Sequence, residues 1–169
     1  MVTEQSHIIY ISVGSNVDKE KHTKAGLQGM SQAFGELTLS SVFESESVGF
    51  EGNNFYNLVI KANTTLSIAQ VCSVLKQIEQ DNKRQRVEQK FAPRTLDLDL
   101  LLYDRQVTTQ PIELPRPEVL YNAFVLKPMA EIAANETHPI VKKTYANLWQ
   151  EYDKSQQKLW AIKFEWSSA

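Results

Sequence analysis

Residues 95–103 read Thr95-Leu96-Asp97-Leu98-Asp99-Leu100-Leu101-Leu102-Tyr103. A short apolar run of this kind predicts a β-strand over Leu96–Tyr103. Side chains alternate across a strand, so Leu96, Leu98, Leu100 and Leu102 are expected on one face. Asp97 and Asp99 then share the other face, roughly 6–7 Å apart. Aspartate is depleted in strands, and two like charges on one face repel. A hard divalent cation offsets that cost, because Mg²⁺ takes one or two carboxylates and fills its shell with water and substrate phosphates. The plainer reading is a solvated acidic face.

A concentrated basic segment precedes this strand. Between 83 and 94 stand Lys83, Arg84, Arg86, Lys90 and Arg94 against Glu88, a net charge of +4, whereas the rest of the chain carries −6. General nucleic-acid binding wants a broad basic face. One basic segment in an acidic chain instead suits a local anion such as a nucleotide's phosphates. Guanidinium forks bind phosphate oxygens in pairs and remain charged at any working pH. Arginines beside a metal-binding carboxylate pair are what phosphoryl transfer needs, since that chemistry is mostly positioning and charge stabilisation. The chain has no G-x-x-x-x-G-K-[ST] loop and no kinase-type glycine spacing, H-R-D or D-F-G. The histidines, His7, His22 and His138, are scattered and the only cysteine is Cys72, so no zinc site is expected. No G-x-S-x-G elbow supports a hydrolase.

The elements around the strand set the fold class. Ile8-Ile9-Tyr10-Ile11-Ser12-Val13, ending at Gly14-Ser15-Asn16, reads as a buried strand. Residues 18–34 carry Leu27, Met30 and Phe34 at helical spacing, weakened by Gly26 and Gly29. Leu37, Leu39, Ser41 and Phe43 alternate as a second strand, and Phe55 to Asn63 form a third. Ser67 and Gln70 make a capping box ahead of the stripe Ile68, Val71, Cys72, Leu75 and Ile78, with Cys72 as a small core residue. The order strand, helix, strand, strand, helix, strand predicts an α+β domain of ferredoxin-like split arrangement, an antiparallel sheet with helices on one face. All six prolines lie at or after Pro93, so the second half turns often. A short helix is expected over Phe124–Ala134, with Pro128 near its first turn. Trp160, Ile162, Phe164 and Trp166 alternate as a strand that joins either the sheet's edge or a partner chain.

At 169 residues and 19.3 kDa, with 42% hydrophobic and 22% charged residues, the chain is expected to be one globular domain over 1–169. No apolar run approaches the roughly 18 residues of a membrane span, and the start lacks a basic-then-apolar leader. A soluble, cytoplasmic protein without nucleic-acid or membrane partners is expected.

Pro93-Arg94-Thr95-Leu96-Asp97-Leu98-Asp99-Leu100-Leu101-Leu102-Tyr103 resembles the signature of the 6-hydroxymethyl-7,8-dihydropterin pyrophosphokinase family of folate biosynthesis. Tyr10-Ile11-Ser12-Val13-Gly14-Ser15-Asn16, Phe55-Tyr56-Asn57, Ile78-Glu79, Arg84-x-Arg86, Leu114-Pro115, Phe124-Val125-Leu126-x-Pro128 and Glu131-Ile132-Ala133 extend the resemblance. The matches span residues 8–140 in the family's order, and the tail over 141–169 is undetermined.

The resemblance implies a Mg²⁺-dependent transfer of the terminal pyrophosphate of ATP to the pterin's hydroxymethyl oxygen. Asp97 and Asp99 would hold two Mg²⁺ ions, with Arg84, Arg94 and Asp97 as catalytic residues. ATP would be bound by Lys76, Arg84, Arg86, Arg94, Arg116 and Asn122. Ser45, Val48, Phe55, Asn57, Phe91 and Phe124 would bind the dihydropterin, its ring between Phe124 and Phe55 and its polar edge on Asn57. Loops around 45–54 and 83–93 are expected to close over both substrates. A monomer is expected, and a dimer is the alternative.

Several positions depart from the family pattern. Arg116 replaces a usual histidine, Asn122 an arginine, Phe91 a tryptophan and Lys83 a glycine, and residues 45–49 lack the usual threonine and proline. Asn122 removes a cation that should face the nucleotide, and Arg116 is expected to supply one nearby. These departures leave two alternatives, a paralogue acting on another pterin-like alcohol and a non-catalytic pterin- or nucleotide-binding protein.

Overall fold

The computed structural model describes residues 5–45, 54–83, 95–155 and 158–167. In chain order the elements are β1 (His7–Ser15), α1 (Lys19–Phe34), β2 (Thr38–Leu39), β3 (Val42–Ser45), β4 (Phe55–Thr64) and α2 (Ile68–Lys83). They continue with β5 (Asp97–Tyr103), α3 (Glu118–Tyr121), α4 (Ala123–Ile132), α5 (Tyr145–Glu151) and β6 (Leu159–Ile162). The strands form one sheet in the order β5-β1-β4-β3-β6, with β2 also paired to β4. Every pairing is antiparallel. With β2 and β3 taken as one broken strand, this is the expected ferredoxin-like arrangement.

Local signals act where they were read. The N–H of Ser67 donates to Gln70 Oε1 at 2.9 Å and the N–H of Gln70 donates to Ser67 Oγ at 3.2 Å, a reciprocal cap on α2. Helix α1 tolerates Gly26 because Leu96 packs against it, so closely that an added Cβ would lie 3.1 Å from the Leu96 methyls. That contact seats α1 directly over the start of β5.

The sheet is buried on both faces, which corrects the expectation of helices on one face. Ile9, Ile11, Val13, Leu58, Ile60, Leu98 and Leu100 pack with Leu27, Met30, Val71 and Leu75 of α1 and α2. On the opposite face Tyr10, Val59, Leu101 and Leu102 pack under Val119, Val125, Leu126, Met129 and Tyr145 of α3, α4 and α5. Each fully buried leucine contributes about 1.5–3 kcal/mol, so the second layer is a core in its own right.

Two irregularities overturn expected facings. The β1–β5 register shifts between Tyr10, paired with Leu102, and Ile11, paired with Leu100. The extra residue, Leu101, is a β-bulge that turns Leu102 away from Leu96, Leu98 and Leu100 and into the second core. A second break lies between β2 and β3. Ser40 Oγ accepts the N–H of Val59 at 2.9 Å, and the register against β4 moves by one residue. Val42 therefore joins the first core, and Phe43 faces the opposite side from Leu37 and Leu39.

The second half holds further differences. Pro128 lies in the body of α4, beyond the first turn where it was expected. Helix α5, capped by Thr144 Oγ1 accepting from the N–H of Asn147 at 3.2 Å, was not anticipated. The terminal strand joins the sheet's edge, with β6 pairing to β3 from Val42–Ile162 to Ser45–Leu159. Among the described residues, no helix is long and apolar enough to cross a membrane.

Candidate active site

The register places the chemistry-bearing residues at one end of the second face. Asp99 pairs with Ser12, Asp97 with Gly14, Gly14 with Asn57, Asn57 with Phe43 and Phe55 with Ser45. Directly paired residues project to the same side, so Asp97, Asp99, Asn57, Phe55 and Ser45 share one face across three adjacent strands and β5. Both aspartates are half-buried. Among the described residues, no group of three or more His, Cys, Asp or Glu side chains is placed to hold a metal. Asp97 and Asp99 form a pair of hard oxygen donors, and Mg²⁺ needs no more than one or two from the protein when phosphates complete its shell.

Asn57 and Ser45 form the polar wall. Both are buried, and Asn57 Nδ2 donates to Ser45 Oγ at 3.0 Å. Gly14 lies beneath the amide, and a Cβ there would come within 3.2 Å of Asn57 Oδ1. The G-S-N sequence at the end of β1 thus has two visible functions. Gly14 makes room for the Asn57 amide, and Ser15 Oγ donates to the carbonyl of Thr95 at 2.6 Å, tying the end of β1 to the residue before Leu96.

Helix α4 covers this face in a readable order. Glu131 takes the N–H of Ser41, and the Lys127 ammonium lies 5.6 Å from the ring centroid of Phe43. One turn earlier on the same side, Phe124 is half-buried against the second core, towards the Ser45–Asn57 end. The structure therefore brings Phe124, Phe55, Asn57 and Ser45 to the same region as the aspartates.

The outer edge of β5 is held by side chains. Glu79 Oε2 on α2 accepts the N–H of Leu98 at 2.7 Å, and Arg116 Nε donates to the carbonyl of Leu100 at 2.9 Å. These contacts flank Asp99. Arg116 Nη1 also lies 3.9 Å from Glu118 Oε2. Burial pushes the Cys72 thiol's pKa up, and the Arg116 charge opposes that rise. Arg116 thus sits at the seam between α2 and β5. Lys76 is exposed on α2, one turn before Glu79. Asn122 is half-buried at the junction of α3 and α4, where its carbonyl accepts from Val125 and Leu126. Val48, Arg84, Arg86, Phe91 and Arg94 lie outside the described residues, as do most of the two loops expected to close.

Two contributors escaped sequence reasoning. Glu79 was legible only as part of a resemblance, because its partner is a backbone N–H 19 residues away. Leu159 of β6 pairs with Ser45 and so adds a half-buried apolar side chain beside the polar wall. Its alternating pattern was visible, but its partner strand was not.

Comparison with known proteins identifies the family. The family described as 7,8-dihydro-6-hydroxymethylpterin-pyrophosphokinase (HPPK) matches residues 10–134. The 2-amino-4-hydroxy-6-hydroxymethyldihydropteridine pyrophosphokinase of Aquifex aeolicus is 33% identical over 139 residues, covering 80% of this chain and 86% of that protein. The protein of the same description from Bacillus subtilis is 34% identical over 132 residues, covering 75% of this chain and 78% of its own length. In structure, wild-type HPPK-DHPS of Plasmodium falciparum, solved with pterin and p-hydroxybenzoate, aligns at a TM-score of 0.71 and 12% identity. That alignment covers 88% of this chain but 43% of the longer protein, and it supports the fold alone. The chain belongs to the 7,8-dihydro-6-hydroxymethylpterin-pyrophosphokinase family.

Proposed function

We propose that the chain transfers the pyrophosphoryl group of ATP to the hydroxymethyl oxygen of 6-hydroxymethyl-7,8-dihydropterin, a step of folate biosynthesis. The observation that carries this reading is the meeting, on one end of one sheet face, of the Asp97–Asp99 pair with the Asn57–Ser45 polar wall, in a chain of this family. A pterin needs a flat slot with a hydrogen-bonding edge, and a triphosphate needs charge neutralisation a few ångströms away. Both sets of residues lie within three strand widths, roughly 14 Å.

In this reading the pterin ring lies between Phe124 and Phe55, and its polar edge meets the Asn57 amide held by Ser45. The hydroxymethyl group gives up its proton to solvent as its oxygen attacks the β-phosphorus of ATP, the bond from that phosphorus to the oxygen bridging the α-phosphate breaks, and AMP leaves. Such a reaction asks the protein mainly for alignment and for charge placed where it develops. Asp97 and Asp99 would hold Mg²⁺, which supplies neutralisation of the phosphate oxygens when bound. Arg84 and Arg94 carry the remaining cationic work, with Arg86 and Lys76 on the nucleotide. Arg116 has Nε committed to Leu100, so any contact with ATP falls to its terminal nitrogens. The half-buried amide of Asn122 supplies no charge.

The test is AMP release by purified protein given ATP, Mg²⁺ and the pterin alcohol, beside a control lacking pterin. Pterin-dependent AMP supports the assignment. Confirmed ATP binding without AMP would reject it.

A further inference from the structure

The two strands that carry the polar wall are tied together from the other face of the sheet by one lysine. Alternation puts Ser45, Phe55 and Asn57 on the site's face. Glu44 and Tyr56, a pair in the β3–β4 register, therefore project to the face covered by α1 and α2. Lys19 opens α1 there. Its ammonium donates to Glu44 Oε2 at 3.3 Å and to the carbonyl of Asn54 at 3.3 Å, and lies 5.0 Å from the centre of the Tyr56 ring. Asn54 Nδ2 also donates to Glu44 Oε2, at 3.1 Å. Lys19, Glu44 and Asn54 thus close a ring of hydrogen bonds.

That ring sits at the end of a ladder. Glu44 precedes Ser45 and Asn54 precedes Phe55, and Ser45–Phe55 is the last β3–β4 pair among the described residues. Ser45 is held on the site's face by the Asn57 amide, and the strand ends are held on the other by Lys19. The lysine itself starts from a fixed point. Asp18 caps α1 in the left-handed conformation at φ 42°, the N–H of His22 donates to the Asp18 carbonyl at 2.9 Å, and the His22 ring donates to the carbonyl of Val17. The first turn of α1, directly after Gly14-Ser15-Asn16, is therefore rooted before Lys19 reaches out.

Ion pairs as exposed as this one, with side chains 25% and 21% accessible, contribute little to stability. The neighbouring acid on α1, Glu20, is met by Lys24 at 3.7 Å, which leaves Lys19 to the strand ends. Its contribution is geometric: three contacts from one ammonium fix where β3 and β4 end relative to each other. We propose that Lys19 is a positioning residue for the pterin wall, setting the placement of Ser45, Phe55 and Asn57 through Glu44 and Asn54. This role rests on the pterin reading given above.

The experiment compares the whole chain with Lys19→Met, Lys19→Arg, Glu44→Gln and, as a control that removes the same charge from the same helix, Lys24→Met. NMR reads the backbone amides of Ser45 and Phe55 and the side-chain amide of Asn57 without substrate, and calorimetry then measures 6-hydroxymethyl-7,8-dihydropterin and ATP separately. Lys19→Met and Glu44→Gln should shift those amides and weaken the pterin about tenfold, the effect of one charge-assisted hydrogen bond lost. ATP affinity and the melting midpoint should hardly move, Lys19→Arg should restore the pterin, and Lys24→Met should change neither readout. Unmoved amides in Lys19→Met, equal weakening of ATP, or the same losses in Lys24→Met would overturn the proposal. Pterin bound equally by the wild-type chain and Lys19→Met would overturn this role alone, whereas a wild-type chain that binds no pterin would overturn the functional reading and this role with it.

Discussion

The carboxylate of Glu79 on α2 accepts the backbone N–H of Leu98 at 2.7 Å, between the two aspartates of β5. Strand β5 is the edge of the sheet, so this N–H points away from β1 and would otherwise face solvent. One contact thus satisfies an edge donor and fixes the short stretch from which Asp97 and Asp99 project. Glu79→Ala should lower stability by about 1–3 kcal/mol and reduce kcat, whereas Glu79→Gln keeps an acceptor and should retain most of both. Denaturant melts paired with turnover measurements check this. An alanine variant with normal kcat would leave Glu79 no positioning role.

Gly14 makes a separate prediction about the pterin. A Cβ at that position would come within 3.2 Å of Asn57 Oδ1, so Gly14→Ala should displace the amide held by Ser45. KM for the pterin should rise about tenfold, equivalent to one hydrogen bond lost, with KM for ATP nearly unchanged. Steady-state kinetics with each substrate varied in turn separates the two. Equal effects on both constants would point to general distortion instead.

The terminal strand supplies a third test. Leu159 sits opposite Ser45 in the β3–β6 pairing and is half-buried. Leu159→Asp places a charge beside the pterin wall and should weaken pterin binding while metal and ATP binding persist. Calorimetry with each ligand measures this. Undiminished pterin affinity would confine β6 to covering the sheet's edge.

His138 sets a pH dependence of stability. It is buried, its Nδ1 accepts the N–H groups of Ile140 and Val141 at 3.1 and 3.2 Å, and burial lowers its pKa from the ordinary 6.5. A histidine with a depressed folded pKa contributes stability that is present above its unfolded pKa and is lost as pH falls below that value. The unfolding midpoint should therefore drop between pH 7 and pH 5. His138→Gln, which keeps an acceptor but cannot titrate, should show a shallower drop. Identical slopes would place the acid sensitivity elsewhere.

Much of this molecule was legible because its signals are local. The Ser67–Gln70 box needs only three residues of separation, and the facing of Asp97 and Asp99 needs only alternation. Leu102 and Phe43 were misplaced because a bulge at Leu101 and a break at Ser40–Ser41 each shift the period by one, and both depend on a partner strand. A helix over Phe124–Ala134 was readable, but the face on which its Val125, Leu126 and Met129 pack was not. Glu79 with Leu98 and Leu159 with Ser45 are long-range pairings, which composition and spacing do not encode. The basic segment was plain from charge alone, while Arg84, Arg86 and Arg94 fall outside the described residues.

The most direct test of the central claim is the identity of both products. Purified protein with ATP, Mg²⁺ and 6-hydroxymethyl-7,8-dihydropterin should yield AMP and a pterin carrying two phosphates, resolved by mass spectrometry. Asp97→Asn and Asp99→Asn should remain folded and yield neither. ADP with a singly phosphorylated pterin, or full product formation in either asparagine variant, would contradict the account.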